Sequence, residues 1–331
     1  MHNYSPKVSG AGIFMHQQVE AVCEEGIHLD VHYMGNLRDP KDIISAYSNL
    51  KKQSQNYDLI HAQFGSACGY IVSRLGNVKI LSLRGSDWYG NTSGTTLSRI
   101  HSILQKTLTR KCLRKYNGII VMSHRMKSEV QRFSPQSKIW VLPDGVNLEI
   151  FKPLDRTKAR EMLKEKSDKT IWVFFPSLLE FNSLKRPELA QEAVREAQKI
   201  RPDIKLIIGS GIPHAQMPLY YNASNVVLMT STHEGWPNSI KEALACNTPF
   251  VCTDVSDLKM ISSQEETCKV VPADPKIIGK ALVDVVNMNK NNNLHRHVEE
   301  FDIKKYGKKI FGIYEELLCN DHKIQKGYKD F

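Results

Sequence analysis

Residues 233–254 read HEGWPNSIKEALACNTPFVCTD, and this stretch organises everything around it. Two carboxylates, Glu234 and Glu242, stand eight positions apart around the turn Gly235-Trp236-Pro237-Asn238. The apolar positions Ile240, Ala243, Leu244 and Ala245 predict a helix with one packed face. Pro237 suits its first turn, where a missing N–H costs nothing. Glu234 then falls in the loop before the helix, and Glu242 about one and a half turns inside it at roughly 3.6 residues per turn. The helix closes at Asn247-Thr248-Pro249, and a strand, Phe250–Thr253, follows. The backbone N–H groups of Asn238, Ser239 and Ile240 are expected to point out of the helix start, where they suit a phosphate. Two carboxylates able to accept sugar hydroxyls, beside a phosphate cradle, are what a sugar nucleotide requires. The plainer alternative is an amphipathic helix with a solvated Glu face.

Residue by residue, Glu234, Gly235, Pro237, Asn238, Glu242, Ala243, Ala245, Pro249, Val251, Thr253 and Asp254 resemble the E-x7-E segment of retaining, metal-independent glycosyltransferases of the family 4 type. That large family includes sucrose synthase and many bacterial cell-envelope enzymes. Asn247 stands where the family usually has Gly, and Asn is the best substitute where a left-handed residue closes a helix. Two further segments carry the resemblance. LPDGVNLEIFKP, residues 142–153, is similar to the family's PNGVDxxxF linker, with Asp144 and Asn147 trading places. SLRGSD, residues 82–87, is similar to its xxHGSD segment, with Arg84 where His is usual. The resemblance runs from about Ser9 to about Leu318. It implies the α/β architecture called GT-B, two doubly wound Rossmann-like domains facing each other across a cleft.

Composition agrees with that class. A chain of 331 residues with 41% hydrophobic and 24% charged content suits two globular domains. No apolar run reaches the roughly 20 residues needed to span a bilayer, and the opening MHNYSPKVSG is too polar for a signal peptide. Seven scattered cysteines with no C-x-x-C point to a reducing compartment rather than a disulfide frame or zinc site. The expected location is the cytoplasm, with peripheral contact on the inner face of the cell membrane as an option. The net charge of +10 is uneven: residues 1–150 hold 18 Lys and Arg against 11 Asp and Glu, and from Lys106 to Lys138 the only acid is Glu129.

Strands alternate with helices throughout, which indicates parallel sheets covered on both faces. The first half gives strands at Leu29–Met34, Asp58–Gln63, Val78–Leu83, Gly118–Met122 and Lys138–Leu142. Its helices fall at Ile13–Glu24, about Ser66–Leu75, Thr96–Arg114 and Ser123–Arg132. The second half gives strands at Thr170–Pro176, Ile204–Gly209, Val226–Thr230, Phe250–Thr253 and Lys269–Val271. Helices there are expected at Pro187–Ile200, Gln216–Asn222 and Pro275–Asn287. The predicted organisation is an acceptor-side domain over 1–148 and a nucleotide-sugar domain over 149–300. A helix over 301–319 crosses back to the first domain, and a tail follows over 320–331. Only eight residues precede Ser9, so the first strand of the N-terminal domain is expected to be missing or shortened.

The resemblance also implies roles. Glu242 would hold the ribose hydroxyls. Glu234 would hold hydroxyls of the transferred sugar or steady charge at its ring. Gly235, Trp236, Pro237, Asn238 and Ser239 would line the sugar and phosphates. The Arg that the family usually places after the first strand of the second domain is absent here. Lys185, with Arg186 beside it, is the expected counter-charge for the diphosphate, and the alternative is a solvated basic pair. Gly209 and Gly211 would let the chain approach the nucleotide, or form a plain turn. On the acceptor side the candidates are Gly10 and Gly12 at a helix start, His61, Asp87 and Arg84. Arg84 cannot be a base at neutral pH but can stabilise a leaving phosphate. His61 reads equally well as a satisfied core histidine.

The expected reaction is front-face transfer with retention from a UDP- or GDP-linked sugar to a glycan or lipid-linked acceptor, with no metal and no other cofactor. A sugar-nucleotide epimerase of the same architecture and a non-catalytic binding protein are the alternatives. Nucleic acid is not expected, because interleaved aromatics and a recognition motif are lacking. Ser-Gly-Ala-Gly does not make the dinucleotide fingerprint. Finally, Thr96–Arg114 carries Leu97, Ile100, Leu104 and Leu108 on one face and Arg99, Lys106, Arg110, Lys111, Arg114 and Lys115 around it. This helix could lie on an anionic membrane or pack its apolar face on its own sheet.

Overall fold

Short runs rich in Val, Ile and Leu pair in parallel, so both of their faces need a cover of helices. In the computed structural model, which describes residues 13–34, 37, 39–90, 96–165, 169–177, 184–288 and 293–327, this arrangement occurs twice. One unit comprises Met1–Gly145 with Ile303–Phe331, and the other Val146–Asp302.

The first unit holds a four-stranded parallel sheet of β1 (Leu59–Ala62), β2 (Val78–Leu83), β3 (Gly118–Val121) and β4 (Ile139–Val141), ordered as in the chain. Its helices are α1 (Ile13–Cys23), α2 (Pro40–Gln53), α3 (Ser66–Val72), α4 (Ser86–Tyr89), α5 (Thr96–Cys112) and α6 (His124–Phe133). Ile80, Leu81, Leu83 and Ile119–Val121 are wholly buried. Leu81, Leu83, Ile119 and Val121 share a cluster with Ile71 and Val72 of α3 and Met126 and Val130 of α6.

The second unit holds α7 (Arg156–Met162), β5 (Ile171–Phe175), α8 (Pro187–Gln198), β6 (Ile204–Ile208), α9 (Met217–Ala223), β7 (Val226–Met229), α10 (Asn238–Ala245), β8 (Phe250–Thr253), α11 (Lys259–Ser262), β9 (Lys269–Val271) and α12 (Pro275–Asn287). Its sheet is parallel in the order β6-β5-β7-β8-β9. Ala190, Ala193 and Ala197 of α8 and Ile278 and Leu282 of α12 pack with β5 and β7. A last helix, α13 (Ile303–Gly327), belongs to the first unit. It buries Ile303, Tyr306, Ile310, Ile313, Tyr314 and Leu317. Its Gly307 lies so close to α1 that a Cβ there would stand 2.3 Å from the Ala21 carbonyl oxygen.

Two expectations are corrected. Residues 29–34 join no sheet among the described residues. A strand needs a neighbour for its N–H and C=O groups, and this segment instead lines a cavity of about 410 Å³ together with β1 and residues of α1, α2, α3 and α13. The last helix continues to Gly327, where a tail was expected from residue 320. The expected shortening of the first strand falls on residues 1–12, outside the described residues.

Candidate functional site

In the second sheet the chain leaves β5 for β6 on one side, then returns to the other side of β5 to lay down β7. The loops after β5 and β7 diverge at that point, and in open parallel sheets ligands bind at such a switch, outside the carboxyl ends of the strands. Lys185 follows β5, and Glu234 follows β7. They meet there as an ion pair, Lys185 Nζ to Glu234 Oε1, with side chains 29% and 19% exposed. Ser231 Oγ donates to the same carboxylate oxygen at 2.7 Å. The pair is therefore fixed in place yet still open to a ligand.

Glu242, on the second turn of α10, is held separately. Tyr221, wholly buried, donates its hydroxyl to Glu242 Oε2 at 2.7 Å. His214 Nε2 stands 3.4 Å from Oε1. Burial, reinforced by the Glu242 charge, pushes the Tyr221 phenol well above its ordinary range, so it stays protonated and acts as a donor. Between the two carboxylates, the start of α10 has no side-chain cap, which leaves its dipole end available to an anion. One of the expected amides is spent internally: Ile240 N–H bonds to the Pro237 carbonyl at 3.1 Å. The loop before α10 is held by Trp236, which packs on Phe301 with ring centroids 5.1 Å apart, and by Ser256 Oγ, which donates to the Gly235 carbonyl at 2.5 Å.

Arg186 donates through Nε to the Thr230 carbonyl at 2.5 Å and through Nη2 to the Ser231 carbonyl at 3.0 Å, so it ties the β5 loop to the end of β7. Burial lowers its pKa. Gly211 has φ +79° and Gly209 does not, but a Cβ on Gly209 would stand 3.1 Å from Pro176 Cα and 3.2 Å from the Phe174 ring. The first is required by the turn and the second by packing. Asn247 takes φ +60°, the left-handed conformation expected of it. Its side-chain oxygen also accepts the N–H groups of Leu294 and His295 at 2.8 and 3.1 Å, which a glycine could not do.

Among the described residues, the first-unit candidates Arg84, Asp87 and His61 all have internal partners. Arg84 is paired with Asp144, their side chains 8% and 11% exposed. The same guanidinium also donates to the Gln18 side chain at 2.9 Å and to the Gln63 side chain. Asp87 is completely buried and accepts the backbone N–H groups of Gly65, Arg84 and Gly85 at 2.8, 2.9 and 2.9 Å. It clasps two loops and offers nothing to an acceptor, and burial raises its pKa against the pull of those donors. His61 has both ring nitrogens engaged, Nδ1 with Tyr314 at 2.6 Å and Nε2 with Ser82 at 2.7 Å. Burial and the nearby Arg84 lower its pKa to about 3. At neutral pH the ring is uncharged. Gly10 and Gly12 lie outside the described residues.

With this geometry in hand, the family described as Glycosyltransferase Family 4 matches residues 9–150, and that described as Glycosyl transferases group 1 matches residues 183–288. The chain is a GT-B glycosyltransferase of the family 4 type. A protein of Bacillus subtilis (strain 168) named as a teichuronic acid biosynthesis glycosyltransferase, TuaC, is 23% identical over 306 residues, 83% of this chain and 75% of its own. The UDP-Gal:alpha-D-GlcNAc-diphosphoundecaprenol alpha-1,3-galactosyltransferase of Escherichia coli is 23% identical over 325 residues, 86% of this chain and 81% of its own. Among solved structures, sucrose-phosphate synthase from Thermosynechococcus elongatus superposes with a TM-score of 0.71 at 17% identity, covering 95% of this chain and 97% of that one.

Three residues of the candidate site went unread in the sequence: Ser231, His214 and Tyr221. Ser231 follows a strand end and could have been suspected from its place three residues before Glu234. His214 and Tyr221 come from the segment between β6 and β7, and only the fold brings them to Glu242. Tyr221→Phe removes one hydrogen bond to a carboxylate while keeping the ring. It is expected to lower stability by about 1.5 kcal/mol, read as a fall in the melting temperature.

Proposed function

We propose that this glycosyltransferase moves a sugar from a UDP-linked donor to a glycan or lipid-linked acceptor in cell-surface polysaccharide synthesis, with retention at the anomeric carbon and without a metal. The observation that carries the reading is the arrangement at the switch point of the second sheet. Lys185 is held beside Glu234, an uncapped helix start lies next to them, and Glu242 is held ready by Tyr221. The cation and the helix end offer positive potential to a diphosphate, and the two carboxylates offer acceptors to ribose and sugar hydroxyls. UDP is favoured over GDP because the Escherichia coli relative is named for UDP-Gal. The same name supports a lipid-linked acceptor, and TuaC supports a cell-surface product.

In the proposed mechanism the donor diphosphate turns to Lys185 and the start of α10 as the glycosidic bond breaks. The developing charge is stabilised there, and the acceptor hydroxyl attacks from the face the diphosphate is leaving, its proton passing to the departing diphosphate oxygen.

A thermal-shift panel of UDP, GDP, ADP and CMP tests the donor. A nucleotide at about 100 times its dissociation constant stabilises by roughly 2.7 kcal/mol. UDP is expected to raise the melting temperature of the wild type and to have no effect on Glu242→Ala. A response to GDP alone would replace the donor, and no response to any nucleotide would sink the reading. Transfer should persist in the presence of a chelator, and the anomeric configuration of the product, read by NMR, should match that of the donor.

A further inference from the structure

A surface helix ordinarily turns its apolar stripe toward the core. Helix α5 does the reverse. Its buried residues are Ser102, Thr109 and Cys112, while Leu97, Ile100, Ile103 and Leu104 are 79%, 58%, 62% and 54% exposed. The reason lies in how closely the helix approaches its neighbours. A Cβ on Gly90 would stand 2.5 Å from Ser102 Oγ, and one on Gly65 would stand 2.5 Å from Thr109 Oγ1. Thr109 Oγ1 also accepts the Ser66 N–H at 2.7 Å. Only small side chains fit on that side, so the aliphatic residues face outward. Their spacing of three and four residues makes them one continuous stripe.

The stripe has a cationic border. Arg99, Arg110, Lys111, Arg114 and Lys115 are all exposed. Phe133, 44% exposed, extends the apolar surface beside the helix, with the Arg110 guanidinium 4.5 Å above its ring. The only acid between Lys106 and Lys138 is Glu129, and its carboxylate accepts the Trp88 indole N–H at 2.8 Å. A second copy of the chain laid on this face would bring like charges together. A surface that is negative outside and apolar beneath complements both features.

We propose that α5 docks the protein on an anionic phospholipid bilayer, with Leu97, Ile100, Ile103 and Leu104 entering the headgroup boundary and the flanking cations meeting the lipid phosphates. This goes beyond the donor site, which lies wholly in the other unit.

Co-sedimentation of the full chain with phosphatidylcholine vesicles, with and without phosphatidylglycerol, tests it. Binding is expected only with phosphatidylglycerol and should weaken as salt rises. Lys111→Gln/Arg114→Gln/Lys115→Gln should lose about fivefold in partition per cation. Leu97→Ser/Ile100→Ser/Ile103→Ser/Leu104→Ser should lose on the order of a hundredfold or more. Because all four side chains are exposed, this variant should melt like the wild type. Three results would overturn the proposal: wild type left in the supernatant with anionic vesicles, binding unchanged in the four-serine variant, or a lipid-free dimer that the four-serine variant abolishes. The UDP thermal shift reads the donor site independently, so failure of one test leaves the other standing.

Discussion

Lys185→Ala is expected to cut the rate of sugar transfer by two to three orders of magnitude, the usual effect of removing one preorganised group that stabilises developing charge. The loss should be larger than a vanished contact alone would give. Glu234 sits at the same point with Ser231 as its remaining partner, so removing the ammonium leaves an unneutralised carboxylate where a diphosphate must gather charge. Stability should change by less than about 1 kcal/mol, because a partly exposed ion pair contributes little to folding. Lys185→Arg keeps the charge and should recover part of the rate. Initial rates at saturating donor, set beside thermal melts, separate the two effects. A Lys185→Ala enzyme within tenfold of the wild type would mean that the diphosphate is neutralised elsewhere.

Asp144→Ala is expected to destabilise the first unit by about 3–5 kcal/mol, the range found when one partner of a buried ion pair is removed. The Arg84 guanidinium would keep its amide partners but lose its counter-charge at a position only 8% exposed. Arg84→Met/Asp144→Leu, which removes both charges, should recover most of the loss. Calorimetry is the suitable readout, since two units need not melt in one step. If Asp144→Ala melts like the wild type, the pair is solvated and Arg84 is available for chemistry after all.

The second unit was legible in the sequence because its signals are local. Phe250–Thr253, Lys269–Val271 and Pro275–Asn287 are found at the bounds their apolar runs predicted, and Asp274 caps the last of these through the N–H groups of Lys276 and Ile277. The first unit was harder to read. Helix α2 went unread although Asp39 caps it, Pro40 opens it and Ile43, Ala46, Tyr47 and Leu50 form a helical stripe packed on the core. Residues 29–34 look like a strand in isolation, but strand pairing is a property of neighbours. Arg84 and Asp87 looked functional because SLRGSD resembles a family segment, and His61 because it is a polar residue at a strand end. What the sequence could not show is that burial and internal partners use all three. The outward face of α5 was equally hidden, since its spacing is the same whether it turns to core or to solvent.

The first unit is discontinuous: its sheet ends by Gly145, but α13, which packs on α1, begins only at Ile303. During synthesis, therefore, the half that emerges first is the half completed last. At roughly 5–20 residues per second, about 10–35 s separate the end of β4 from the last turn of α13. All of Val146–Asp302 is made within that interval and is free to fold. The side of the first unit that α13 will cover stays open to the cell meanwhile. That makes it the stretch with most to gain from a chaperone, and the half where a slowed ribosome or a shortened transcript would show its damage.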